Sequence, residues 1–263
     1  MRALYAAATG MAAQELNVQV ISNNIANLRT TGYKRQQPHF QDLLYQNLRR
    51  SGSSTSDQNT ILPAGLALGS GVKTVSTARV MSQGTMTMTE KDYDVAIRGE
   101  GFFRVRMPDG RTAYTRDGSF DLDAQGQMVT RDGYLLDPGI TVPNTATAVT
   151  IGATGAVQAT IPGQTAPQAR GQFQMARFVN KVGLESIGDN LFVETAASGP
   201  AVTGLPGSEG FGNLQQSYLE EANVNAVTEI SSLIAAQRAY EMNSKVVTAA
   251  DQMLSTTSQM FRG

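Results

Sequence analysis

Apolar residues recur every seven positions at both ends of the chain. Near the start, Leu4, Met11, Val18 and Ile25 form one column, and Ala7, Gln14, Ile21 and Leu28 form a second. Gln14 alone is polar, so the spacing predicts a helix with a coiled-coil-type seam about 28 residues long. Thr31-Gly32 should end it, with the glycine suited to a left-handed C-terminal cap. Near the other end, Ala239, Val246, Met253 and Met260 stand beside Leu233, Tyr240, Val247, Leu254 and Phe261. Asn225 can cap this second helix and Glu229 suits its positive end, which places it from about 226 to 260.

The middle has a different texture. Residues 51–73 are rich in Ser, Gly and Thr and read as a loop or extended linker. Beyond them Phe103, Val105 and Met107 alternate with Phe102, Arg104 and Arg106, and Pro108-Asp109-Gly110 turns the chain back through 111–116. Thr115-Arg116-Asp117-Gly118 returns as Thr130-Arg131-Asp132-Gly133, as successive hairpins of one antiparallel meander would require. Val-, Thr-, Ile- and Ala-rich segments separated by Gly and Pro continue through 141–210. The expected class is α+β, with long coiled-coil-type terminal helices flanking an antiparallel β-rich body. Residues 1–34 and 222–263 make a discontinuous helical domain, 35–75 an extended linker segment, and 76–221 the β-rich domain.

A lone amphipathic helix of this length is marginal in water, because ordering its backbone offsets what the stripe buries. Either the ends pack against the ends of other copies, loose in the monomer and helical in the polymer, or both helices pack on the β body of their own chain. Periodicity leaves both open.

Charge and composition narrow the function. Lys plus Arg is 21 against 22 Asp plus Glu, a net charge of -1, so no positive field gathers nucleic acid. With no cysteine and one histidine, His39, the chain has no disulfide, no thiolate or multi-histidine metal site and no cysteine nucleophile. No apolar run reaches the length of a membrane span. The start, Met1-Arg2-Ala3-Leu4-Tyr5, is mostly alanine to Thr9-Gly10 and flows into the first helix, unlike a cleaved signal peptide. An extracytoplasmic destination would then need a route that keeps the N-terminus.

Apparent chemistry dissolves on inspection. Asp121, Asp123, Gln125, Gly126 and Asp132 partly copy a calcium loop, but the flanks read as strands and position twelve is Asp. Gly69-Ser70-Gly71-Val72-Lys73-Thr74 lacks the glycine–lysine spacing of a phosphate loop. Glu220-Glu221 lies near a helix start, where negative charge is favourable anyway. No catalytic set, metal site or cofactor is expected.

Three motifs carry a resemblance. The first is Thr9-Gly10-Met11 with Ser22-Asn23-Asn24-Ile25-Ala26-Asn27 and Thr31-Gly32-Tyr33-Lys34. The second runs from Gln83-Gly84-Thr85 through Asp94–Phe103 to Tyr114–Phe120, and the third is Leu219–Val224 with Gln237-Arg238-Ala239-Tyr240-Glu241. Together they resemble the flagellar basal-body rod and hook family, over roughly 1–140 and 211–262. Length and the segment Gln46–Lys73, with Pro63-Ala64-Gly65-Leu66, are most similar to its distal rod members. Glu221-Ala222 departs from the Ser usual there, a detail of the approach to the second helix.

The resemblance implies a structural subunit that stacks helically with its own copies into a hollow shaft, carrying torque from motor to hook and passing exported subunits. It implies terminal helices lining an inner tube, with Leu4, Met11, Val18, Ile21, Ile25 and Leu28 packed between subunits against Leu233, Tyr240, Val246, Val247, Met253 and Leu254. Ser22, Asn23, Asn24, Ala26, Asn27 and Gly32 are the motif positions. Implied partners are proximal rod proteins, hook protein, the cell-wall and outer-membrane bushing rings and the flagellar type III export apparatus, which reads an uncleaved N-terminus; the rod itself spans the periplasm. A proximal rod or short hook-type protein is the nearest alternative, and a β-rich cell-wall hydrolase or adhesin the more distant one.

Overall fold

The computed structural model describes residues 2–52, 63–163 and 166–260. Residues 53–62 of the loop expected at 51–73, and the column position Phe261, lie outside these residues. Two compact units emerge: residues 1–25, 36–78 and 225–263 form one, and residues 26–35 and 79–224 the other. Long helices at the two ends and antiparallel strands between them make an α+β chain.

The first unit holds α1 (Arg2–Ala26) and α2 (Ala226–Met260). Asn225 caps α2, its Oδ1 accepting the Thr228 N–H at 3.2 Å, so the expected start holds, and the helix runs to Met260, the last described residue. Helix α1 stops earlier than its heptads suggest. The Thr30 hydroxyl donates to Asn27 Oδ1 and the Thr30 N–H to the Asn27 carbonyl, closing a local turn that competes with the helix. Leu28 therefore falls outside the helix. Gly32 does take a left-handed φ of 68°, but six residues beyond Ala26, where it cannot cap the helix.

The same unit contains strands where composition suggests a linker. Gln36–Asp42 pairs with Val72–Arg79, and Tyr45–Arg49 pairs antiparallel with Leu66–Gly69. Glycine and serine here mark turns and close approaches within ribbons. A Cβ at Gly71 would meet Thr9 Oγ1 at 2.3 Å, and the same hydroxyl accepts the Val72 N–H.

In the second unit a nine-stranded sheet is built around Phe102–Arg106. That strand pairs with Thr112–Thr115 on one edge, and with Leu135–Leu136 and Met175–Arg177 on the other. Both of its faces are buried at the start: Phe103 stacks edge-on against Phe120, while Phe102 packs with Phe178 and Phe192. The large core also gathers Val95, Ile97, Ile140, Val157 and Phe173. A three-stranded sheet, Ala148–Ile151, Ala156–Thr160 and Gln168–Gln172, supplies structure within 141–210.

The repeated Thr-Arg-Asp-Gly has two fates. Thr130–Gly133 is the expected hairpin turn, with the Gly133 N–H on the Thr130 carbonyl. Thr115–Gly118 is not. Its Gly118 carbonyl accepts the Val95 N–H, a Cβ there would clash with the Val95 oxygen at 1.7 Å, and Arg116 is buried where Arg131 is exposed. The calcium-like loop is also a turn, with Asp123 Oδ1 accepting the N–H groups of Gln125 and Gln127.

Candidate assembly interface

The two helices lie antiparallel. Gly10 faces Asn243, whose Nδ2 would be 2.9 Å from a Cβ at residue 10, and Asn24 Nδ2 donates to Glu229 Oε2 at 3.2 Å. Both intervals, Gly10 to Asn24 and Glu229 to Asn243, are 14 residues, so the register is kept over two heptads. The buried positions are Ala7, Ala13, Val20, Ile21 and Asn24 on α1, with Glu229, Ala236 and Ala250 on α2, so small and polar residues share this face with two β-branched ones. Glycine inside a helix costs about 1 kcal/mol relative to alanine, and here it permits the approach of Asn243.

The apolar columns expected to pack between subunits are unevenly buried within the single chain. Ile21 is buried, and Leu4, Met11, Val18, Ile25, Leu28, Leu233 and Val247 are half-buried. Tyr240, Val246, Met253 and Leu254 remain exposed. Of the expected partners, Val18 and Tyr240 share one groove, lined also by Glu15 and Gln237. Within the chain, the α2 column at 229, 236, 243 and 250 faces α1. The spacing of those residues was visible in the sequence, but hydrophobicity alone gave no reason to choose it.

The asparagine motif has a specific role. Ser22, Asn23 and Ala26 are exposed and Asn27 closes the turn after α1. Asn24 is buried, and its amide pairs like a strand with Gln36, Oδ1 accepting the N–H and Nδ2 donating to the carbonyl, both at 2.9 Å. One side chain therefore ties helix, strand and Glu229 together within the first unit.

In the second unit a buried charge cluster joins Lys34, Arg116 and Glu220, to which sequence reasoning gave no shared role. Lys34 Nζ donates to Glu220 Oε1 at 2.5 Å and to the Ser82 carbonyl at 2.9 Å. Arg116 donates to Glu220 Oε2 and to the Gly99 carbonyl, its guanidinium lying over the Phe102 ring. Gly84 and Gly32 give their N–H groups to the Glu220 carboxylate and carbonyl respectively. Burial pulls the Lys34 ammonium below its usual range, with Glu220 pulling the other way. Gly32 is where a side chain cannot go, since a Cβ would lie 2.6 Å from the Asp117 nitrogen. Beside the cluster, Asn223 accepts the Arg35 N–H at 2.7 Å and donates to the carbonyls of Val80 and Ser82.

Residues 4–34 match the family described as flagella basal body rod protein, and 215–260 the flagellar basal body rod FlgEFG protein C-terminal. Residues 96–159 match the flagellar hook protein FlgE/F/G D1 domain. The chain is 57% identical to the flagellar basal-body rod protein FlgG of Caulobacter vibrioides, covering 99% of each chain. It belongs to the FlgG family of flagellar basal-body rod proteins. The FlgG of Agrobacterium fabrum is 48% identical over 100% of both chains, while a rod protein FlgF of Caulobacter vibrioides is 34% identical over 93% of this chain and 91% of its own. The chain is accordingly a structural component of the flagellar rod and not an enzyme. Members of this family self-assemble and associate with other rod and hook components. The three matched segments meet at the charge cluster: Lys34 lies in the first, Arg116 in the D1 domain and Glu220 in the C-terminal match.

Proposed function

We propose that this chain builds the distal part of the rod, stacking helically into a hollow shaft that transmits torque to the hook and passes exported subunits. The observation supporting this reading most strongly is the division of labour on the helices. Small residues mate α1 with α2 inside one chain, and the apolar columns at Tyr240, Val246, Met253 and Leu254 are left outward for neighbouring copies. Burying large apolar side chains at about 1.5–3 kcal/mol each favours assembly over an exposed stripe. On this reading the helices form a coiled-coil-like inner tube, with residues 1–34 and 222–263 as its domain, and 76–221 the outer layer. Segment 46–73, within the 35–75 linker, bridges neighbouring subunits and keeps the shaft straight.

Proximal rod proteins and hook protein adjoin it at the two ends, and the bushing rings surround it as it spans the periplasm. Export proceeds through the type III apparatus without cleavage of the N-terminus. Among the described residues no helix is long and apolar enough to cross a membrane. Electron microscopy of the purified chain tests the proposal. Straight hollow tubes are expected, and softened or curved tubes when part of 46–73 is deleted. Tubes unchanged by the deletion contradict the stiffening role, and Val18→Asp that still polymerises at the unmodified concentration contradicts the seam.

A further inference from the structure

An apolar groove opens in the first unit. It has a volume of about 660 Å³ and runs between the start of α1 and the strand pair Tyr45–Arg49 with Leu66–Gly69. Ala3, Tyr5 and Ala6 form one wall, and Gln46, Leu68 and Ser70 the other. At one side the walls are clamped together, because the Thr9 hydroxyl holds the Val72 N–H and Gly71 leaves no room for a side chain. The groove is therefore built into the packing of this unit. Around its mouth the ribbon exposes further apolar side chains, Leu44 at 89%, Tyr45 at 56% and Leu66 at 51%.

A matching surface exists on the same chain. The C-terminal half of α2 exposes Met242, Val246, Met253, Leu254 and Met260. Met242, Val246, Met253 and Met260 recur at helical spacing on one side of the helix, away from the small-residue face turned to α1. Those four residues, roughly half to three-quarters exposed, amount to about 500 Å², a large patch for a monomer. That is most of the ~800 Å² each partner contributes to a standard interface. Unbranched methionines adapt to an irregular apolar cleft. The ribbon is net positive, with Arg49, Arg50 and Lys73 against Asp42, while Lys245 and Asp251 cancel over Met242–Met260, so no like-charge repulsion opposes a contact.

From this we infer that the groove beside Leu68 is the seat for the C-terminal half of α2 from a second copy of this chain. The contact joins two different surfaces, so each copy offers one seat and one plug. Such head-to-tail contacts propagate into open helical assemblies instead of closing as dimers. The inference rests on the self-assembly reading above and specifies which surfaces of that assembly meet.

The absence of cysteine makes a clean test possible. Leu68→Cys and Met253→Cys are made in separate copies, mixed in equal amounts, assembled and oxidised, so that any Leu68–Met253 disulfide joins two chains. Both positions are exposed, which leaves each copy free to fold. Disulfide formation requires Cα atoms within about 7 Å. Linked heterodimers, identified by mass spectrometry of the joined peptides, should exceed at least tenfold those from Leu68→Cys mixed with Val179→Cys, whose site is 92% exposed in the other unit. Polymers without that excess overturn the seat and leave self-assembly standing. An unmodified chain that forms no polymer overturns self-assembly, and the seat with it.

Discussion

Gly10 and Asn243 set the distance between the helices: a Cβ on residue 10 would come within 2.9 Å of the Asn243 amide nitrogen. Elsewhere in a helix, Gly→Ala stabilises by about 1 kcal/mol. Here the gain should be lost to the clash, so Gly10→Ala is expected to be neutral or destabilising. In an Asn243→Ala background the same change should stabilise. A double-mutant cycle by denaturant unfolding measures the difference, expected at about 0.5–3 kcal/mol of coupling.

Glu220 is the single carboxylate between two buried cations. Glu220→Gln leaves the charges of Lys34 and Arg116 uncompensated, and breaking such a pair from one side costs about 3–5 kcal/mol. Lys34→Met removes one cation and leaves Arg116 to pair with the carboxylate, so it should cost less. Chemical denaturation of the two variants and the unmodified chain gives the order directly.

Asn24→Ala removes the amide that holds Gln36 on both sides and its bond to Glu229. Buried polar groups left without a partner cost about 1–3 kcal/mol each, so a loss near 2–3 kcal/mol is expected. The Gln36 amide should lose hydrogen-exchange protection first. Asn24→Asp keeps the acceptor, loses the donor and sets a second carboxylate beside Glu229, so it should be the worse variant near neutral pH.

Burial raises the Tyr114 phenol above its ordinary value of 10.0, with Glu194 adding to the effect. A group whose folded pKa is raised gives stability that is full below the unfolded value and lost as pH climbs through the folded one. Melting temperature should therefore decline above pH 10, and Tyr114→Phe should flatten the decline. Lys34 works in the opposite sense: its folded pKa is lowered, so its unfavourable charge is relieved as pH rises towards 10.5. Lys34→Met should steepen the alkaline decline.

Strong periodicity was legible, and α2 was readable to its last described turn because Asn225 supplies a local cap. The end of α1 was not, since Asn27 and Thr30 make a turn that no heptad count contains. Ribbons in 36–79 were hidden because their pairing is long-range and their glycines are packing devices, Gly71 against Thr9 above all. The two Thr-Arg-Asp-Gly copies look alike in sequence and diverge because Arg116 finds Glu220, more than a hundred residues away. Lys34 and Asn223 were quoted as motif positions without a role, and only the fold shows that one is a buried cation and the other a backbone clamp. For the helix faces, the apolar columns were legible, while the close approach of α1 and α2 at Gly10, Asn24, Glu229 and Asn243 carried no hydrophobic signal.

The most direct measurement of the central claim is sedimentation of Val246→Asp beside the unmodified chain at equal concentration, with helix content followed by circular dichroism. Val246 is exposed on α2 and outside the small-residue seam. Unchanged helicity with assembly lost, or shifted to at least tenfold higher concentration, is the predicted result. A variant that pellets as polymer at the unmodified concentration contradicts the assignment of this face to neighbouring copies.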